Sequence, residues 1–209
     1  WLKAMNEELI ALESTDTWEV CSLPTGKLAI GCRWVYKVKL NADGTLERYK
    51  ARLVAKGYTQ REGIDFVDTF SPVAKMTTVK TLIAVAAAKK WKLSQLDISN
   101  AFLNGELTEE IYMALPPGYT PKEGTILPPN PVCRLKKSIY GLKQASRQWF
   151  LKFSSTLRKL KFKKSHSDHT LFVRNNNGKY LAVLVYVDDI IIASNDDMEA
   201  ERLKDDLKK

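Results

Sequence analysis

LAVLVYVDDIIIAS, Leu181 to Ser194, sets two adjacent carboxylates between two runs of apolar, largely β-branched residues. Such residues pack well on a pleated surface, so each run reads as a strand, and the Asp188-Asp189 pair between the arms LVYV and IIIA reads as the tight connection of a hairpin. Side-by-side anions with apolar flanks are costly unless something positive compensates them. Asp188 and Asp189 are therefore either an ordinary turn or part of a site that draws cations, and a bare Asp-Asp pair is more often the former.

Working outward, TLFVR, NNNG and KYLAVLVYV give a second strand–turn–strand signal just upstream. Further back, LSQLDI reads as a short strand that delivers Asp97 at its C-terminal end, between Leu96 and Ile98. If that strand lies beside the hairpin, three carboxylates converge at one edge of a sheet. Hard divalent cations, magnesium above all, are the usual remedy for such a cluster. TTVKTLIAVAAAKKW predicts a buried helix with Thr at its start and Lys at its end. SRQWFLKFSSTLRKLKF predicts an amphipathic helix whose inner stripe is Trp149, Phe153, Leu157 and Leu160. A first helix near Trp1 to Glu13 carries Leu2, Met5, Leu9 and Leu12 at helical spacing. Helices on one face of a mainly antiparallel sheet make the expected class α+β.

RWVYKVKL, NADG and TLERYKARLVAKG predict a second hairpin. Alternation puts Trp34, Tyr36 and Val38 on one face and Lys37 and Lys39 on the other, while Arg48, Lys50 and Arg52 share a face of the return strand. A ribbon with basic side chains in register can hold phosphates, or it can be the wet side of a hairpin; periodicity alone does not choose. EEIYM gives a hairpin-like signal, ahead of a Pro-rich loop.

The 209 residues are enough for one substantial core or two modest ones, and 44% hydrophobic with 27% charged residues is ordinary for a globular chain. No apolar run approaches a membrane span, and WLKAMNEEL has no signal-peptide character. The chain does not begin with Met and ends within an apparent helix, so it is expected to be a piece of a longer polypeptide. Three scattered cysteines, Cys21, Cys32 and Cys133, argue against a disulfide framework or zinc site and for a reducing compartment. His166 and His169 in HSDH read as a surface turn or capping segment rather than half a metal site. Net charge is +9, and between Glu123 and Asp168 eleven basic residues stand without one acid, which leaves the remainder at 22 basic against 24 acidic. A block of that kind usually faces a polyanion, a solvated face being the plainer alternative.

The words around the carboxylates carry a resemblance. YVDD, Tyr186 to Asp189, resembles the catalytic box of reverse transcriptases. LDISNAFLNGEL (96–107) resembles their first catalytic motif, and SIYGLKQASRQW (138–149) the nucleotide- and template-contacting motif between the two. WLKAMNEELIAL, TWEV, RWVYKVK, YKARLVAKGYTQREGIDF, TFSPVAK, EEIYMALPPGY and DHTLF extend the likeness over nearly the whole chain, to the copia type of LTR retrotransposon. Together these are highly specific, whereas YVDD alone is not.

The resemblance implies a right-hand polymerase fold: fingers in residues 1–75 and 106–145, an antiparallel palm sheet backed by helices in 76–105 and 146–209, and no thumb. It implies RNA-directed DNA synthesis, with dNTPs added to a primer 3′ end by two-metal nucleotidyl transfer. Asp97 and Asp188 become the principal ligands of two Mg²⁺ ions (Mn²⁺ able to substitute), and Asp189 completes the triad. Phe102 becomes a steric gate against the ribose 2′-hydroxyl. Gly141 and Gln144 lie near the incoming base and template, Lys50 and Arg52 neutralise the triphosphate, and Tyr186 packs near the primer end. Ser146 stands where the family often has Pro. Partners follow as an RNA or DNA template with primer, dNTPs and the thumb, ribonuclease H and integrase parts of a Pol polyprotein. The implied location is a cytoplasmic virus-like particle, with nuclear presence open. The rivals are a degenerate or domesticated copy that binds nucleic acid without polymerising, another metal-dependent phosphotransferase such as a nuclease, and an interaction domain.

Overall fold

The computed structural model describes residues 1–98, 100–121, 124 and 126–208. In chain order the elements are α1 (Leu2–Ser14), β1 (Trp18–Ser22), β2 (Ala29–Ile30), β3 (Cys32–Leu40), β4 (Leu46–Ala55), α2 (Met76–Lys89), β5 (Lys92–Asp97), β6 (Glu106–Ala114), β7 (Pro131–Lys137), α3 (Ala145–Lys159), β8 (Lys163–Lys164), β9 (Leu171–Asn176), β10 (Lys179–Tyr186), β11 (Asp189–Ser194) and α4 (Asp197–Lys208). The class is mixed α+β. The chain divides into two compact units, each made of two separate segments: 1–70 with 102–149, and 71–101 with 150–209. Among the described residues no helix is long and apolar enough to cross a membrane.

The first unit holds a four-stranded sheet in the order β1-β7-β6-β2, antiparallel except for β2 along β6. EEIYM thus lies in β6, which pairs across the Pro-rich loop with β7 rather than with a near neighbour. The core gathers Leu12 from α1, Trp18, Ile30, Leu53, Ile111, Met113, Leu135 and Ile139, with Leu103 and Leu142 from the connections. Cys32 and Cys133 belong to this core, and burial pushes their thiols up to about 11 and about 12. Beside the sheet, β3 and β4 form a separate ribbon with the predicted faces. Its register sets Lys37 opposite Lys50 and Lys39 opposite Arg48, so both strands point their cations to one side. Tyr36 and Tyr49 stand on the other side, where the Trp1 ring at the head of α1 meets them with centroids 5.0 and 4.6 Å away.

The second unit is built on an antiparallel sheet ordered β5-β11-β10-β9-β8. Asn177 and Gly178, both at positive φ, make the turn that NNNG predicted. Leu181 to Val185 are buried on both faces of β10, which corrects the expectation of helices on one face only. Leu82 and Ala86 of α2 pack with Ala182, Leu184 and Ala193. On the opposite face Phe150 of α3 meets Phe172, and Arg174 pairs with Glu199 of α4 at 2.9 Å. A strand apolar on both sides needs cover on both sides.

Helix α2 differs from the buried helix expected. Only Leu82 and Ala86 are fully buried, while Met76, Ile83 and Val85 are exposed. No side chain of its own caps its start; the Lys75 N–H donates instead to Asp168 Oδ2 at 3.0 Å. Asp168 also accepts from the N–H and hydroxyl of Thr170, at 2.9 and 2.6 Å. Capping thus falls to the acid of HSDH, and both histidines are exposed in the turn.

Candidate active site

The register between β5 and β11 places Asp97 directly opposite Asp189, and that between β11 and β10 places Asp189 opposite Tyr186. The three residues form one row across three strands at one end of the sheet, on the face that α2 covers further along. Asp188 lies in the two-residue turn between β10 and β11, and its carbonyl accepts from the Ile98 N–H at 3.3 Å. The hairpin expected from the sequence is therefore present, but its turn lies one residue earlier: Val187 and Asp188 make it, and Asp189 opens the return strand. Asp97 is exposed, Asp188 and Asp189 are half-buried, and Tyr186 is half-exposed, because the apolar packing stops at Val185 and Ile190.

Val187, first in the turn, has φ of 57°. The left-handed region costs a β-branched residue about 1–2 kcal/mol. Such a turn normally takes Gly or Asn, so the hairpin tip stores strain beside its carboxylate.

Like charges directly opposite across a ladder destabilise it. Among the described residues none of the three aspartates forms an ion pair, and the one side-chain contact at the row is Gln95 Nε2 donating to Asp189 Oδ1 at 2.9 Å. Three accessible carboxylates without a cationic partner are a donor set that fits a hard divalent ion. Among the described residues no three acid, histidine or cysteine side chains already stand around a common point. Gathering these carboxylates on an ion takes rotation about their side-chain torsions, among staggered states of similar energy.

The other predicted site residues lie in the first unit. Lys50 and Arg52 sit on the basic side of the ribbon, Lys50 opposite Lys37 and Arg52 opposite Val35. Burial first, then the charges of Arg52, Arg48 and Lys39, pulls the Lys50 ammonium below its ordinary pKa. Arg52 lays its guanidinium over the Tyr140 ring, 4.2 Å from the centroid, and Phe102 meets the same ring edge-on with centroids 4.8 Å apart. The Phe102 carbonyl accepts from Ser138 Oγ at 2.7 Å. Ser99, inside the first motif, lies outside the described residues.

Gly141 and Gln144 have interior roles. The Gln144 side chain is buried: it accepts from Gln60 Nε2 at 3.0 Å and donates to the Asp65 carbonyl at 2.9 Å and to Glu109 Oε1 at 3.3 Å. These three bonds tie its amide to Gln60, Asp65 and Glu109. Gly141, at φ 91°, lets its segment press against β4, where a Cβ would strike the Ala55 carbonyl oxygen. The neighbouring Tyr140 carbonyl accepts from the Ala55 N–H at 2.8 Å. Tyr140, Gln60, Asp65 and Gln95 escaped the sequence reading. Tyr140 lies inside the motif SIYGLKQASRQW and Gln60 and Asp65 inside YKARLVAKGYTQREGIDF, whereas Gln95 lies in none of the motifs.

The basic block is also less open than its sequence suggests. Arg134 pairs with Glu19 at 3.2 Å, Lys136 with Asp16 and Glu19 at 3.2 and 3.3 Å, and Arg147 with Asp68 at 3.0 Å. Acids far away in sequence thus pair with three of its first five cations. Arg158, Lys159, Lys161 and Lys163 are exposed, with no ion pair among the described residues.

Residues 15–209 match the family described as reverse transcriptase (RNA-dependent DNA polymerase). The chain belongs to this reverse transcriptase family. It is 47% identical over 197 residues to the retrovirus-related Pol polyprotein from transposon RE2 of Arabidopsis thaliana, a match covering 94% of this chain and 13% of the relative. It is 44% identical over 209 residues to the corresponding polyprotein from transposon TNT 1-94 of Nicotiana tabacum, covering 100% of this chain and 15% of the relative. The Gag-Pol polyprotein of transposon Ty1-H from Saccharomyces cerevisiae is 28% identical over 219 residues. The reverse transcriptase domain thus spans only about a seventh of the plant polyproteins it resembles, and the copia-type likeness read from its motifs holds across the chain.

Proposed function

We propose that this reverse transcriptase domain extends a primer 3′ end with dNTPs on an RNA template. The observation that carries the reading is the row of Asp97 opposite Asp189, with Asp188 in the adjoining turn, at the open end of an otherwise dry sheet. Asp97 and Asp188 would hold Mg²⁺ as principal ligands, with Asp189 as the third carboxylate and Mn²⁺ as a substitute. When bound, a magnesium pair lowers the pKa of an attacking hydroxyl and stabilises a leaving phosphate. The chain's own residues do the positioning. The ribbon cations Lys50 and Arg52 bind the triphosphate, and Phe102 excludes a 2′-hydroxyl from the sugar position. Tyr186, in the aspartate row, packs against the primer terminus. Backbone contacts from Arg158 to Lys163 would be independent of sequence and weakened by salt, as a translocating enzyme requires. Catalysis by placement and charge is what phosphoryl transfer chiefly needs. Fingers would correspond to the first compact unit and palm to the second, a reading supported by the chain crossing three times between them.

The test is primer extension on an RNA template with dNTPs and Mg²⁺, run beside Asp97→Asn and Asp188→Asn. We expect extension by the parent chain and a loss of at least about a thousandfold in both variants, with unchanged thermal unfolding. Undiminished extension in either variant would remove that aspartate from the site. A parent chain that binds primed template yet adds no nucleotide would favour the degenerate-copy reading.

A further inference from the structure

Arg52, Tyr140 and Phe102 form a continuous stack. The guanidinium lies 4.2 Å above the Tyr140 ring centroid, and the Phe102 ring packs edge-on to Tyr140 at 4.8 Å and 73°. Both geometries are attractive ones, a cation over a π face and a positive ring edge against a π cloud. The stack is anchored at two points. The Tyr140 carbonyl accepts from Ala55 N–H at 2.8 Å, three residues beyond Arg52 in β4, and Ser138 Oγ donates to the Phe102 carbonyl at 2.7 Å, two residues before Tyr140. Arg52 Nε is buried without a hydrogen-bond acceptor among the described residues, so the ring is what holds that side of the guanidinium. Tyr140 is half-buried, and nothing in composition or periodicity marks it.

We propose that Tyr140 is a positioning residue for nucleotide selection, its ring fixing the orientation of Arg52 and Phe102 relative to each other. The inference rests on the assignment of Phe102 to the sugar and Arg52 to the triphosphate. If those two side chains meet opposite ends of one nucleotide, a rigid spacer between them converts a tightly held triphosphate into a sharply placed sugar. Without the ring, Phe102 gains freedom to swing, and a 2′-hydroxyl finds room. Tyr140 acts in this scheme through its neighbours and touches no reacting atom.

The experiment measures single-nucleotide insertion on a primed RNA template with dATP and with ATP, reported as the ratio of kcat/KM values. The chains are the parent, Tyr140→Leu, Tyr140→Phe, Phe102→Ala and the Tyr140→Leu/Phe102→Ala double variant. Tyr140→Leu should lower the ratio roughly tenfold and raise KM for dATP while leaving kcat within about twofold. Tyr140→Phe, which keeps the ring, should restore both. The double variant should be no less selective than Phe102→Ala alone, because a spacer for an absent gate has nothing to position. A Tyr140→Leu chain that loses dATP and ATP insertion equally, or whose effect adds to that of Phe102→Ala, overturns the inference and leaves the gate standing. An unchanged ratio in Phe102→Ala removes the gate and the inference together, as does a parent chain that inserts no nucleotide. Should Tyr140→Leu fail to fold, Tyr140→Phe combined with Arg52→Gln carries the test. It should lose dATP affinity and selectivity together, and loss of affinity alone overturns the inference.

Discussion

Asp168 shows what one buried carboxylate does when its partners are supplied. Burial alone would raise its pKa, but hydrogen bonds from the Thr170 and Thr78 hydroxyls and from the N–H groups of Thr170 and Lys75 outweigh that and hold it at about 2. A group with a depressed folded-state pKa stabilises the fold above its unfolded value and loses that contribution as pH falls through the folded one. We therefore predict that Asp168→Asn is roughly 2 kcal/mol less stable than the parent at pH 7. In urea unfolding series the gap should narrow from pH 4 downward; a gap constant from pH 7 to pH 2.5 would mean that charge is not the cause. The aspartates of the opening stretch were legible because strand patterning fixes where a carboxylate between Val185 and Ile190 must emerge. The hydrogen bonds of Gln144 were not, because a polar side chain satisfied inside a core leaves no periodic trace. Asp168 was half legible: its segment read as a turn or cap, but the helix it caps, α2, begins far away at Met76.

Elements were legible where their pattern is local. Both hairpins, the ribbon's two faces and the helical stripe of Trp149, Phe153 and Leu157 follow from spacing, and turn residues Asn177 and Gly178 sit where the turn needs positive φ. The burial of α2 was misjudged because a helix apolar nearly all round reads as enclosed, yet only its Leu82 and Ala86 face is enclosed. Close approach between segments was invisible. Gly57 and Gly141 face one another so tightly that a Cβ on Gly57 would overlap the Gly141 carbonyl oxygen, and one on Gly141 the carbonyl oxygen of Ala55. Gly141→Ala must adopt a left-handed backbone and also push β4 aside. We expect a loss of roughly 3 kcal/mol or more, whereas Gly44→Ala, at positive φ but with open space around it, should cost only about 1–2 kcal/mol. Chemical denaturation of the two variants checks the difference, and equal losses would show that φ alone, not crowding, matters at Gly141.

The whole molecule repeats one arrangement twice: a compact unit assembled from chain segments far apart in sequence. The resemblance implies a division at residues 75, 105 and 145, whereas the compact units part at 70, 101 and 149. The arrangement matters most for the four-stranded sheet, whose outer strands β1 and β2 come from the first segment and whose central strands β6 and β7 come from the second. A chain ending at residue 101 keeps the edges of that sheet and lacks its middle. We predict that such a chain shows no cooperative thermal transition by circular dichroism, although it retains α1, the ribbon and α2 in sequence. A sharp transition near that of the full chain would show that the first segment folds unaided. During synthesis every copy passes through this truncated condition. At ordinary ribosomal speeds of about 5–20 residues per second, β1 waits roughly 5–20 s for β7 to emerge. Through that interval Trp18, Ile30 and Leu53 have no core to enter. The interleaving of segments therefore sets a window in which the nascent chain carries core side chains with nowhere to bury them, and slower translation lengthens it.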